Sequence, residues 1–403
     1  MKKGIKIIIL FIVVVLLVVG GVYGYKKYME YLEEERIKNA IIKIDFINPL
    51  EVEYNKEIKL SNLITSINGE LIDDFKIDTS KVGTKEISFK YINEEDLKVP
   101  YKFTLNIVDK TAPILWLTDV YSVNVGTTKK LEELIMCGDD YDDNPTCEII
   151  GEYDLNKVGN YKLRMEARDF SGNTTTKDFL LKVIKPKNSS SSSSTISFSY
   201  LYNQYKNANT TIGIDVSKWQ GDIDYKLVKD AGVEFVFIKL GGQNGIDGEY
   251  YLDPKFERNI KGFQEVGIPV GLYFYSYANS VSKAKEDALW VIDQIKDYEI
   301  SLPIAFDWEN WSRYNSFHIS FNNLTKAAGM FIDTLKNEGY DGMLYSSKNY
   351  LENIWLENNY TIWLAHYTNR TDYKGNYKCW QRTSSAKIPG ITVNTVDFDI
   401  CYK

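Results

Sequence analysis

The chain has 403 residues, 44% hydrophobic and 26% charged, an ordinary globular composition with room for several domains. Its formal net charge of −7 gives a nucleic-acid partner no electrostatic support, and 2 His with 4 Cys in no C-x-x-C spacing argue against a zinc site. Aromatic content is 14%, with 30 Tyr and 8 Trp; most fill cores and strands, while a minority suit the stacking walls on which sugar C–H faces pack.

At the N-terminus MKKGIK precedes the uncharged run IIILFIVVVLLVVGGVYGY, residues 7–25. At ~1.5 Å per residue this run reaches about 28 Å, close to the hydrocarbon thickness of a bilayer. A cleaved signal peptide would have a shorter apolar region ending in small residues of A-x-A type, and neither holds. Residues 1–25 therefore read as a cytoplasmic tail and single-pass membrane anchor, with residues 7–25 in contact with lipid. Lys2, Lys3 and Lys6 favour a cytoplasmic N-terminus, although Lys26 and Lys27 flank the other end. Everything after Tyr25 is then expected on the extracytoplasmic, cell-wall side. Residues 26–40, KKYMEYLEEERIKNA, read as a charged helical stalk.

A repeat follows. KLSNLI (59–64) is similar to KLEELI (130–135), IDTSKVGTKEISFKY (77–91) to YDLNKVGNYKLRMEA (153–167), and FTLNIVDK (103–110) to FLLKVIKP (179–186). The later two pairs share an offset of 76 residues and the first an offset of 71, the difference being an insertion around CGDDYDDNPTC, 137–147. Short alternating segments broken by Gly, Asn and Asp predict two small all-β sandwiches, 41–110 and 111–185. In their motifs they resemble bacterial immunoglobulin-like modules of surface proteins, which implies a spacer role ahead of ligand recognition. Asp139, Asp140, Asp142 and Asp143 are oxygen donors of the kind calcium takes. A solvated acidic loop pinned by a Cys137–Cys147 bridge is the preferred reading, and such a bridge persists outside the cell.

Six consecutive Ser within PKNSSSSSSTISFSY (186–200) cannot build a core, so residues 186–209 read as a linker and the last domain as 210–403. That domain alternates strand and helix patterns. Strands are predicted at 212–216, 234–240, 269–277, 303–309, 342–347, 361–367, 377–382 and 395–400, and helices at 222–231, 254–266, 280–298, 320–338 and 348–356. Eight strands with about five helices predict an α/β barrel related to the (β/α)₈ type, incomplete in its second half. Chemistry in such barrels sits at the C-terminal ends of strands. Asp215 closes the first strand, Asp307 and Glu309 the fourth, and Asp397 lies in the eighth, which neighbours the first in a closed barrel. Within IAFDWEN the i, i+2 spacing puts Asp307 and Glu309 on one face. One such acid reads as a capped or paired carboxylate; four directed at one mouth among aromatics read as a site.

The segments GIDVSKWQG (213–221), GLYFYSY (271–277), AFDWE (305–309), MLYSS (343–347), IWLAHY (362–367), WQRTSSAKIPGI (380–391) and VDFDI (396–400) together resemble, in order, the glycoside hydrolase family 25 lysozymes, the Chalaropsis-type muramidases. The resemblance covers residues 210–403. It implies a flattened β/α barrel cleaving the β-1,4 bond between N-acetylmuramic acid and N-acetylglucosamine in peptidoglycan glycan strands, with no metal and no organic cofactor. Carried over, Glu309 matches the general acid, Asp307 the acid that accompanies it, and Asp215 and Asp397 the outer pair. Tyr273, Tyr275, Tyr345, Trp363 and Gln381 fall where the family lines its sugar groove, and each is equally suited to the core. Two positions depart from the pattern. Arg382 stands where an aromatic residue often follows Trp-Gln, and Asp399 where Asn is common.

Glycoside hydrolysis needs a protonated acid at the leaving oxygen and negative charge near an oxocarbenium-like centre. A neighbouring Asp307 carboxylate is expected to raise the pKa of Glu309. The ~6.7 Å between i and i+2 along a strand leaves retaining, inverting and substrate-assisted routes all open. His366 in WLAHY reads as hydrogen-bonded structure in preference to a base, and Cys379 and Cys401 are candidates for a second disulfide. The alternative to an enzyme is a non-catalytic wall-binding surface protein, which would keep the aromatics and lose the acids.

Overall fold

The computed structural model describes residues 2–186, 194–356 and 359–403, with side chains from Val14 onward; residues 189–193 of the Ser run lie outside the described residues. Lys2–Lys38 form one helix, so the apolar run and the charged stalk are continuous. Among the described residues no helix is long and apolar enough to cross a membrane. Residues 7–13 of the apolar run lie outside the described side chains.

The chain divides into two compact units, Met1–Lys110 and Thr111–Lys403. In the first, a four-stranded sheet has the spatial order Glu51–Glu53, Lys98–Val108, Gly83–Asn93, Gly69–Leu71. Alternation along Gly83–Asn93 buries Ile87, Phe89 and Tyr91 and exposes the residues between them, the period-2 pattern of a half-covered sheet. The second unit opens with the second copy: Val120–Asn124, Thr174–Ile184, Gly159–Arg168, Thr146–Ile150. The two long strands begin 76 residues apart in the two copies, matching the sequence repeat. Each copy pairs its long strands as an antiparallel hairpin and lays its first strand parallel to the later one.

The barrel strands are β1 (Thr210–Val216), β2 (Phe235–Gln243), β3 (Val270–Tyr275), β4 (Ile304–Asp307), β5 (Gly342–Ser347), β6 (Ile362–Ala365), β7 (Cys379–Lys387) and β8 (Val396–Tyr402). Neighbours follow chain order and β8 closes the ring between β7 and β1. All pairings are parallel except those of β8, which is antiparallel to both neighbours. The connection between β7 and β8 carries no crossover helix, and a parallel pair would need one. The disulfide Cys379–Cys401 joins these two strands at paired positions. Helices α1 (Tyr225–Asp230), α2 (Phe256–Glu265), α3 (Val281–Ile295), α4 (Phe321–Asn337) and α5 (Lys348–Asn353) cover the outside, α5 being short, and no helix connects β6 to β7 or β7 to β8. Strands such as β4, buried along their whole length, read as continuous apolar runs because both faces are covered.

Three features differ from the sequence reading. Residues Phe198–Tyr205, assigned to the linker, form a helix that buries Phe198 and Leu201 in the barrel core, and Ile196–Ser197 pair with β7. The acidic loop is docked instead of solvated. Asp139 is buried, its Oδ1 accepts the N–H groups of Tyr141 (2.8 Å) and Asp142 (2.7 Å), and the Cys137–Cys147 disulfide spans the loop. The carbonyls of Asp139 and Asp140 accept from the N–H groups of Phe321 and Asn322, which satisfies donors left open at the start of α4. The second β-module is also fastened to the barrel beyond this loop. Asn315, in the 3₁₀ segment Trp311–Ser316, donates to the carbonyls of Glu132 (2.7 Å) and Ile135 (2.9 Å) and accepts from the N–H of Cys137 (2.9 Å).

Candidate active site

Strand register brings the acids together. Asp215 on β1 lies opposite Asp397 on β8, and because β8 is antiparallel its beginning reaches the mouth where the other strands end. Asp307 is the last residue of β4, between Tyr275 on β3 and Tyr345 on β5. Glu309 lies just past the strand, and both acids line the same cavity. Trp308 between them points away, fully buried, its Nε1–H donating to the carbonyl of Ala278 at 3.0 Å.

Asp215, Asp307, Glu309 and Asp397 line one cavity of about 210 Å³, together with Tyr273, Tyr345, Trp363 and Gln381. Tyr275 is not part of this lining; its ring instead lies under Lys239, 4.9 Å from Nζ. Tyr367, just beyond β6, completes the wall. Trp363 and Gln381 are buried at the floor, where they hold other groups in place. A second cavity of about 370 Å³ shares Glu309, Tyr345 and Tyr367 with the first and continues past Ser347, Lys348 and His366. His366 Nδ1 is bonded to Thr371 Oγ1 at 2.9 Å, a structural role. Arg382 is buried and faces outward, bonded to Tyr205 and Asn369, so it forms no groove wall.

The segment after β4 is tied down by the loop after β3. Ser276 N–H donates to the Asp307 carbonyl (2.8 Å), and Asn310 Nδ2 donates to the Ser276 carbonyl (3.1 Å). Ser276 Oγ donates to Asp287 Oδ2 (2.5 Å), and Tyr250 donates to Asp287 Oδ1 (2.9 Å). Asp287 is fully enclosed in α3, and burial outweighs these bonds to push its pKa up to about 6. On the other side Trp311 stacks on Tyr350 (centroids 4.0 Å apart, planes 17° apart), and Trp116 of the second β-module packs against the same ring at 5.1 Å.

Asp307 is buried, whereas Glu309 is open to water at the cavity mouth yet ringed by enough protein to be partly desolvated. Burial raises the pKa of both. The charge of Glu309 raises Asp307 further, and Lys239 opposes the rise at both. The sequence reading made repulsion the cause of a raised Glu309; in the structure burial is the larger cause and the repulsion falls on Asp307. The two titrate as a pair that holds a proton above the range of an isolated carboxyl. Asp397 is pushed up to about 9, by burial first and then by Asp215 and Glu309.

A closed barrel with eight strands and outer helices gathers carboxyls and aromatics at one mouth, the residue types that glycoside hydrolysis uses. Residues 214–391 match glycosyl hydrolases family 25. The uncharacterized protein YegX of Escherichia coli (strain K12) is 30% identical over 202 residues, 47% of this chain and 69% of YegX. The chain belongs to glycosyl hydrolase family 25. The autolytic lysozyme of Clostridium acetobutylicum is 26% identical over 190 residues, 46% of this chain and 54% of that one. Among solved structures, the modular autolysin LytC from Streptococcus pneumoniae in complex with synthetic peptidoglycan ligand is similar at 27% identity and a TM-score of 0.44, over 59% of this chain and 56% of that one. The chain thus spans little more than half the length of these last two proteins.

Proposed function

We propose that the protein is a membrane-tethered muramidase that hydrolyses the β-1,4 bond between N-acetylmuramic acid and N-acetylglucosamine on the cell-wall side of the membrane. The observation that carries this reading is the division of labour within one pair of acids that line the same cavity: Glu309 exposed, Asp307 buried, and Lys239 acting on both. Family membership and the relative named as an autolytic lysozyme support the substrate class.

In this mechanism protonated Glu309 gives its proton to the glycosidic oxygen as the bond from that oxygen to the anomeric carbon breaks, and a water then supplies the hydroxyl that ends on that carbon and returns a proton to the acid pair. Lys239 favours an anion within the pair, and the Asp307 carboxylate faces the positive charge that develops on the sugar. This allocation requires bound sugar at the mouth to reverse the order in the open cavity, where Asp307 is raised further than Glu309. Asp215 and Asp397 shape and polarise the floor. The uncharged run at 7–25 behind Lys2, Lys3 and Lys6 supports the tether with a cytoplasmic N-terminus. The disulfides Cys137–Cys147 and Cys379–Cys401 support an oxidising compartment for the rest. The two β-modules fit the immunoglobulin-like reading, the first as a spacer.

The test is digestion of purified peptidoglycan by the full-length protein in detergent, followed by borohydride reduction of the new chain ends. Reduced N-acetylmuramic acid is the expected product. Reduced N-acetylglucosamine would overturn the bond assignment, and no release by a folded protein would overturn the enzyme reading.

A further inference from the structure

One acid at the floor has no part in the mechanism above. Asp399 lies on β8, two residues beyond Asp397, wholly enclosed, opposite Gly213 on β1 and Gln381 on β7. Its Oδ1 accepts the Nε1–H of Trp363 at 2.8 Å. Its Oδ2 is buried and receives no N–H or O–H from a neutral or cationic donor. The carboxyl beside it is that of Asp215: Gln381, opposite Asp399 on β7, donates to Asp215, and the charge of Asp399 acts on Asp215.

The surroundings fix the orientation of both acids. Tyr345 and Tyr367 each donate a hydroxyl to Gln381 Oε1 at 2.9 Å, which leaves the Gln381 amide only its Nε2–H to present elsewhere. That group donates to Asp215 Oδ2 at 2.7 Å. Among the described residues each carboxyl has one neutral donor, and no Lys, Arg or His bonds to either. Two carboxylate charges cannot face each other in such an enclosure, whereas one charge with one proton between them is matched by the two N–H donors. Burial followed by neighbouring acid charge holds both groups well above the usual carboxylate range, Asp399 acting on Asp215 and Asp397 on Asp399. The other titratable groups facing the pair are Asp397 on β8, Glu309 beyond β4, Tyr273 on β3, Tyr345 on β5 and Tyr367 beyond β6. Burial raises the three tyrosines, so they remain neutral donors or spectators.

We propose that Asp215 and Asp399 share one proton in a carboxyl–carboxylate hydrogen bond, and that Asp399 is the positioning residue holding Asp215 in place at the cavity floor as half of a singly charged pair. Asp399 touches no substrate. Its effect on turnover passes through Asp215, and only that effect rests on the function proposed above; the shared proton does not.

Two variants of the full-length protein test this. Asp399→Asn places a permanent N–H donor opposite Asp215 and removes the shared proton, while Asp399→Leu removes the bond altogether. Unfolding of the wild type and D399N is measured from pH 5 to pH 8. A native pair that keeps a proton its unfolded carboxyls release must lose stability as pH rises, by linkage. The ratio of wild-type to D399N unfolding constants should therefore grow about tenfold per pH unit. Asp397, Asp307 and Glu309 are present in both proteins and cancel in the ratio. A constant ratio would overturn the proposal, because either the pair would hold no proton or Asp215 would hold it by burial alone, without Asp399. In turnover, D399N should exceed D399L at least tenfold, through kcat with little change in KM. Equal losses in both folded variants would show that an anion on Asp399 is required and overturn the positioning role. Failure of D399L to fold leaves the comparison of unfolding constants decisive.

Discussion

Asn315 joins the second β-module to the segment that follows the paired acids, and its removal has a calculable cost. The residue makes three hydrogen bonds to backbone groups of Glu132, Ile135 and Cys137, at 2.7, 2.9 and 2.9 Å, across more than 170 residues of chain. Each bond contributes about 1 kcal/mol net, and part-buried backbone groups left without a partner add about 1 kcal/mol or more. Asn315→Ala should therefore destabilise this unit by about 3–4 kcal/mol in urea unfolding. The same segment carries Trp311, which stacks on Tyr350 beside the groove, so kcat on soluble glycan should also fall several-fold. His318 bonds to Asn144 from an exposed position, and His318→Ala, the control, should cost less than about 0.5 kcal/mol. A loss below 0.5 kcal/mol for Asn315→Ala would refute the account of the second module as a brace and restore the spacer reading for it.

Lys239→Met removes the cation that lowers both members of the acid pair, so the acidic limb of the pH–rate profile should move to higher pH; an unmoved limb in kcat/KM would separate Lys239 from the pair. Asp287 keeps its proton in the native state up to about pH 6 but releases it near 3.8 when unfolded, so wild-type stability should fall relative to Asp287→Asn as pH rises between those values and then level off; parallel stability curves would contradict the raised value. The disulfide Cys379–Cys401 closes 22 residues of chain, and replacing both cysteines by serine should cost about 2–4 kcal/mol in reversible unfolding. Turnover should fall as well, since Gln381 and Asp399 sit on the strands it joins; unchanged stability and activity would show the bridge to be incidental.

The barrel was legible because each strand and helix carries its own period. Continuous apolar runs mark strands covered on both faces, and α2 to α4 show amphipathic stripes long enough to read alone. Asp215, Asp307, Glu309 and Asp397 were placed together by topology, since closure makes β1 and β8 neighbours. What escaped depends on contacts between distant segments. The helix at Phe198–Tyr205 sits beside a Ser run whose composition dominated the local signal, although Phe198, Leu201 and Tyr205 already had helical spacing. Burial of Asp139 follows from α4 needing acceptors at its first turn, which no pattern within 137–147 encodes. Tyr275 shares strand parity with Tyr273 but leaves the cavity where β3 ends, and Tyr367 enters it from outside regular structure. The surroundings of Asp399 depend on cross-strand contacts with Trp363 and Gln381 that no local pattern encodes.

The most direct test of the central claim is kcat/KM of Glu309→Gln on purified peptidoglycan. The substitution keeps the size of the side chain and much of its hydrogen bonding but cannot release a proton. With folding intact and glycan binding retained, the rate should fall by a factor on the order of 10²–10⁴, the usual worth of general acid catalysis. Turnover close to that of the wild type would contradict the account, because the proton would then come from elsewhere.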